Sequence, residues 1–138
     1  MRSAVVASEV RLTVESDIDV VTARMRGRTL AAQMGFPPIL ATIIATTISE
    51  LARNILQYAR SGEIVLRPVE VGSRLGLAVE ARDDGPGIPD IGLAMQDGFS
   101  TAGRLGLGLP GVRRLMDEFE IHSISGSGTM VRVRKWLP

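Results

Sequence analysis

Polar and apolar positions along this chain change period several times, and each change marks an element. Val10, Leu12 and Val14 alternate with Glu9, Arg11 and Thr13, which predicts a half-buried strand. Ser16-Asp17-Ile18-Asp19 resembles a capping box with Asp19 in place of the usual Glu, so a helix is expected to run to about Met34 and to end at Gly35. Pro37-Pro38 opens a second helix, expected from about Pro38 to Ala59. Its residues Leu40, Ile44, Ile48, Leu51 and Ile55 form one apolar stripe, and Ser61-Gly62 is read as its stop.

Ile64 to Val71 reads as a strand that Pro68 demotes to an edge or a bulge. After a Gly72-Ser73 turn, Leu75, Leu77, Val79 and Ala81 alternate with Gly76, Ala78, Glu80 and Arg82, giving another strand. Asp83 to Gly108 holds seven glycines and two prolines. It reads as a long functional loop with a short helix near Ile91 to Gln96. A helix from about Pro110 to Glu118 and two strands, Phe119 to Ser125 and Gly128 to Trp136, close the chain. The order β-α-α-β-β-loop-α-β-β, with hairpins between neighbouring strands, predicts an α+β two-layer sandwich: a mixed, mostly antiparallel sheet with helices on one face. The whole chain, 1–138, is expected to be one domain.

Composition narrows the chemistry. Of 138 residues, 45% are hydrophobic and 22% charged, enough apolar material for one core. The net charge of +1 leaves no nucleic-acid footprint. Cysteine is absent, which removes thiolate metal sites and Cys nucleophiles. His122 is the only histidine, so His clusters and Ser-His-Asp triads are excluded, and His122 is expected to be structural. Lys135 is the only lysine and no Lys follows a glycine loop, so a P-loop is excluded as well. The uncharged stretch Thr29 to Ser49 is broken by Gly35 and Pro37-Pro38. It reads as a core helix of a cytoplasmic protein rather than a span.

Three constellations remain. Glu50 and Asn54, four residues apart, share one face of the second helix. A carboxylate beside an amide oxygen suits a general base next to a ligand for a hard cation such as Mg²⁺, and the plainer alternative is a polar helix face. Asp83-Asp84-Gly85-Pro86-Gly87-Ile88 places a carboxylate at a strand end, suited to accept from an exocyclic amine, before a turn that allows close approach. Gly103-Arg104-Leu105-Gly106-Leu107-Gly108-Leu109-Pro110-Gly111 runs into a helix whose free amides form an anion site without lysine. Its match to a dinucleotide fingerprint fails: no strand precedes it, and no Asp or Glu occurs after Glu120. Arg24, Arg26 and Arg28 read as a solvated helix face or a protein-docking surface, and Arg132, Arg134 and Trp136 as strand positions near an edge.

Taken in order, ExxxN on a helix, DxGxG after a strand and GxG entering a helix resemble the GHKL or Bergerat-fold ATP-binding domain of gyrase, sensor histidine kinases and MutL. The stretches SELARNILQYA, DDGPGIPD, DGFSTAGRLGLGLPGVRRLMDEFEI and GSGTMVRVRKW are similar to RsbT-type switch kinases of bacterial partner-switching modules. The resemblance implies Glu50 as general base and Asn54 as Mg²⁺ ligand. It implies that Asp83 contacts the adenine amine, with Gly85 and Gly87 shaping the pocket and Thr129 supporting it. Ser100, Thr101, Gly106, Leu107, Gly108 and Leu109 would face the phosphates. It further implies ATP and Mg²⁺, a STAS-domain antagonist as substrate, a PP2C-type phosphatase as downstream partner, and no nucleic acid or membrane; a homodimer is compatible with it. The alternative it leaves is an anti-sigma factor that sequesters a sigma subunit and phosphorylates its antagonist. Gyrase-type motors need transducer domains for which 138 residues leave no room, and a histidine kinase needs a phosphoacceptor hairpin.

Overall fold

A computed structural model describes residues 9–88, 91–95 and 108–138. Five strands form one sheet: β1 (Val10–Val14), β2 (Gly62–Val71), β3 (Arg74–Asp83), β4 (Glu118–Ile124) and β5 (Gly128–Trp136), in the order β1-β2-β3-β5-β4. All four pairings are antiparallel, in keeping with the mostly antiparallel sheet expected. The helices are α1 (Asp17–Met34), α2 (Pro38–Ala59), the short α3 (Ile91–Ala94) and α4 (Gly108–Leu115).

The cap of α1 differs from the expected box. Ser16 makes no side-chain cap bond, and the Asp19 carboxylate instead accepts from the Glu15 N–H at 2.9 Å. At the other end Gly35 adopts the left-handed conformation, and Phe36 N–H reaches back to the Ala31 carbonyl at 3.0 Å. Helix α2 ends in left-handed Arg60 (φ 72°), while Gly62 already belongs to β2. Helix α4 starts two residues earlier and ends sooner than expected, because Lys135 Nζ donates to the Leu115 carbonyl at 2.7 Å and closes its last turn.

Pro68 lies inside the sheet, between β1 and β3, rather than on an outer strand. Among the described residues β1 pairs as far as Leu66, and there Pro68 has a paired neighbour, Leu77, on the β3 side alone. β5 is likewise an inner strand, and Arg132, Arg134 and Trp136 are not at an edge; β1 and β4 are the edges.

Alternation sorts the strands into two faces. The inner face carries Val14, Ile64, Leu66, Leu77, Val79, Ala81, Val131 and Val133, packed under the α2 stripe of Ile44, Ile48, Leu51 and Ile55. By length and composition α2 could cross a membrane, but this stripe is buried in the core. The outer face is charged. At its centre Glu80 is only 1% exposed, yet it points away from the helices. Arg82 at 2.6 Å, Arg132 at 2.7 Å and Arg67 at 3.2 Å enclose its carboxylate. Arg132 continues to Glu120, and Arg134 to Glu118. His122, exposed beside Glu120 at 3.1 Å, belongs to this surface, in keeping with a structural role. Arg24, Arg26 and Arg28 are exposed on α1, which also exposes Ile18 and Met25.

Burial pushes the Glu80 carboxyl up, but hydrogen bonds from Arg132 and Arg82, with the charges of Arg82 and Arg67, outweigh it and hold the group below the usual carboxylate range. A depressed folded-state value contributes stability above the unfolded-state value, and that contribution disappears as pH falls through the folded one. Glu80→Gln should therefore destabilise the fold by about 2 kcal/mol near neutrality, less than for a fully dry pair because the guanidiniums keep partial solvent contact. The gap between variant and parent should close below about pH 4. Urea unfolding across a pH series checks both statements.

Candidate functional site

The open space between α2 and the C-terminal half of β3 is lined by residues that are close only in the fold. Helix α2 contributes Leu51, Asn54, Ile55 and Tyr58. β3 contributes Ala81 and Asp83, β5 contributes Thr129 and Val131, and Ile88 and Leu109 close the sides. The cleft is narrow, with about 20 Å³ of space open to a water-sized molecule. Its walls are mostly apolar, with three polar side chains converging: the Asn54 amide, the Asp83 carboxylate and the Thr129 hydroxyl.

Asp83 and Thr129 face each other in register across β3 and β5. The Asp83 Oδ1 accepts from the Gly85 N–H at 2.9 Å, which fixes the turn and leaves the second oxygen to meet a ligand. Gly87 is buried at φ 83°, and a Cβ there would meet the Ile124 carbonyl oxygen at 2.6 Å. Gly128, at φ 105°, packs even more tightly, since a Cβ would collide with the Asp83 carbonyl oxygen. These two glycines let the β4–β5 turn clasp the loop after β3, and Gly126 N–H donates to the Pro86 carbonyl at 2.8 Å.

Glu50 lies one turn before Asn54 and is 4% exposed. It does not line the cleft. Its Oε1 accepts from Gly108 N–H, the first amide of α4, at 3.3 Å, and its Oε2 lies 3.6 Å from Arg53. The carboxylate thus sits between the cleft and the start of α4. That helix start was expected to offer amides to an anion, and here a protein carboxylate takes one of them. Leu109, beside Gly108, lines the cleft. Ser100, Thr101, Gly106 and Leu107 lie outside the described residues.

Sequence reasoning missed Tyr58, Ile88 and Ser123. Tyr58 was legible in principle, four residues beyond Asn54 on the same helix face. Ile88 is the residue after Gly87 and follows the loop. Ser123 had no signal in the sequence, because only strand register brings it to Thr129.

Comparison with known proteins identifies the family and the fold. Residues 12–135 match the family model described as Histidine kinase-like ATPase domain. The chain is 52% identical over 119 residues to the serine/threonine-protein kinase RsbT of Bacillus subtilis (strain 168), covering 86% of this chain and 90% of that protein. It is 34% identical over 100 residues to the anti-sigma F factor of Caldanaerobacter subterraneus subsp. tengcongensis, covering 68% of each. Among solved structures, the RsbU and RsbW domains of a Mycobacterium tuberculosis protein superpose with a TM-score of 0.66 at 18% identity, over 96% of this chain and 34% of that longer one. The catalytic domain of the histidine kinase ThkA follows with a TM-score of 0.52 at 14% identity, over 94% of this chain and 95% of that one. At those identities the structures speak for the fold alone.

The chain belongs to the histidine kinase-like ATPase domain family, the GHKL class of ATP-binding folds. Within that class its identity to RsbT makes it an RsbT-type kinase.

Gly128→Ala should disrupt the clasp, because the backbone conformation and the Asp83 carbonyl both exclude a methyl group. The expected cost is about 2–3 kcal/mol. Thermal unfolding of the variant measures it, and Gly126→Ala, which shares the positive φ but meets nothing within 4 Å, separates backbone strain from the collision.

Proposed function

We propose that this chain is an ATP-dependent serine/threonine protein kinase of a bacterial partner-switching module. It transfers the γ-phosphoryl group to a Ser or Thr of a STAS-domain antagonist and, once released from that partner, activates a PP2C-type phosphatase in the cytoplasm. The observation that carries this reading is the convergence of Asn54, Asp83 and Thr129 on one cleft, with the buried Glu50 carboxylate one helical turn away. The likeness to RsbT supports the chemistry and the kind of partner.

In this reading Asp83 accepts from the adenine amine through the oxygen that Gly85 leaves open, and Leu51, Ile55 and Tyr58 hold the ring against apolar surface. The triphosphate extends toward Asn54 and the start of α4. Ser100, Thr101, Gly106, Leu107, Gly108 and Leu109 are proposed to face it. Among the described residues no three His, Cys, Asp or Glu side chains gather into a metal cage. The Asn54 amide oxygen fits a Mg²⁺ that keeps waters and takes its other ligands from phosphate oxygens. Such an ion, when bound, supplies charge compensation on the phosphates.

Glu50 accepts the proton of the substrate hydroxyl as its oxygen bonds to the γ-phosphorus and the bond to the β-phosphate oxygen breaks, leaving ADP. Positioning and electrostatics dominate this class of reaction, so a small domain suffices. The burial of Glu50 keeps bulk water from competing for the proton position. A second reading, an anti-sigma factor that also phosphorylates its antagonist, is favoured by the 34% identity to anti-sigma F factors. Pull-down with a sigma subunit against STAS and phosphatase partners separates the two.

Glu50→Ala should reduce phosphoryl transfer by about 10²–10⁴-fold, the usual worth of a positioned base, while ADP affinity stays within about threefold. Incubation with labelled ATP and candidate STAS proteins measures transfer, and calorimetry measures binding. Undiminished transfer removes Glu50 from the mechanism.

A further inference from the structure

Thr47 lies on α2 one turn before Glu50, on a neighbouring position of the same helix face. It is fully buried, and among the described residues no group makes a hydrogen bond to its Oγ1. A helical threonine ordinarily turns that hydroxyl onto a carbonyl of the preceding turn, and here it does not. A buried hydroxyl left this way is costly, and a valine would fill the same space without the cost. Long side chains on a helix fold back over the turn before them, so the Thr47 hydroxyl lies within the range of the Glu50 carboxylate. In this structure the carboxylate is drawn elsewhere, to the Gly108 N–H at 3.3 Å and toward Arg53 at 3.6 Å, neither of them a short contact. Around the helix axis Thr47 falls almost in line with Asn54, on the cleft side of Glu50, whereas Arg53 falls on the other side. Held toward Arg53, Glu50 does not line the cleft. A base must come within about 2.6–3.2 Å of the proton it takes, so Glu50 has to shift before it can act.

We infer that Thr47 is a positioning residue that receives the Glu50 carboxylate in the state that transfers phosphate. The inference rests on the roles proposed above for Glu50 and Gly108, and adds to them the group that aims the base. When the triphosphate takes the Gly108 N–H, Glu50 Oε1 loses that donor. The Thr47 hydroxyl replaces it, donating to one carboxylate oxygen and so gaining the acceptor it otherwise lacks. The same movement carries the carboxylate from the Arg53 side of α2 to the Asn54 side. The second oxygen then meets the proton of the substrate hydroxyl. Thr47 touches neither nucleotide nor protein substrate and acts through Glu50 alone.

The test compares Thr47→Val, which keeps the volume and removes the hydroxyl, with Thr47→Ser, which keeps the hydroxyl. Transfer is timed from labelled ATP, at saturation, to the STAS-domain protein that takes the label from the parent kinase. Thr47→Val should lower kcat about tenfold, while KM for ATP and the calorimetric ADP affinity stay within about twofold. Thr47→Ser should keep kcat within about threefold of the parent. In a Glu50→Ala background, Thr47→Val should change the residual rate by less than about twofold, because the group it aims is gone. Without nucleotide, Thr47→Val should unfold at the parental temperature or above it, since a hydroxyl with no partner holds nothing there. An unchanged kcat in Thr47→Val, the same tenfold loss in the Glu50→Ala background, or a Thr47→Val protein that melts several degrees lower or does not fold overturns the inference alone. A parent protein that labels none of the STAS-domain proteins overturns the proposed function together with it.

Discussion

A polar side chain on a buried helix must find partners within the protein, and α2 places the site under that constraint. Ten of its residues are buried, and Glu50 is the one charged residue among them. Leaving that carboxylate unanswered would cost more than most single contacts contribute. Among the described residues, the first amide of α4 and the Arg53 guanidinium both lie against it. Helix α4 is therefore held at α2 by the same residue that is proposed above to take the substrate proton. Asn54, one turn on, is only half-buried because the cleft opens there.

The two faces of the sheet meet the same requirement differently. Inside, apolar side chains fill the space beneath the helices. Outside, with no helix to cover it, the sheet answers the buried Glu80 with three guanidiniums from β2, β3 and β5. Of these, Arg67 also reaches Glu9 and Arg132 reaches Glu120, while Arg134 pairs with Glu118 beside them. Trp136 completes this layer, its indole N–H on Glu118 at 2.8 Å and Arg74 stacked 4.3 Å from its ring centre.

Much of this was legible in the sequence because it repeats with a short period. Alternation located β1 and β3, and the four-and-three spacing of Ile44, Ile48, Leu51 and Ile55 located α2 with its inner face. The motif residues Asp83 and Asn54 lie at the cleft as expected from strand end and helix face. What was not legible depends on which strand lies beside which. Pro68 looked like a mark of an outer strand because the sequence does not reveal how far β1 extends. Glu80 looked like an ordinary outward residue because its three arginines come from separate strands. Ser123 looked like any strand serine until pairing set it behind Thr129. The Asp19 cap shifted for a smaller reason: its short side chain reaches Glu15 rather than Ser16.

The pairing of β3 with β5 has a consequence for how errors in assembly would show themselves. Opposite sides of β5 carry incompatible cargo: Thr129, Val131 and Val133 inward, Arg132 and Arg134 outward. A frame slip of a single position would drive guanidinium groups into the apolar layer and bring Met130 to the mouth of the cleft. The bond from Arg132 to Glu80 matches one rung of the ladder, and a misaligned β5 would forfeit it along with the inner packing. The charged exterior thus proofreads the alignment on which the cleft side relies, although none of its members touches that side.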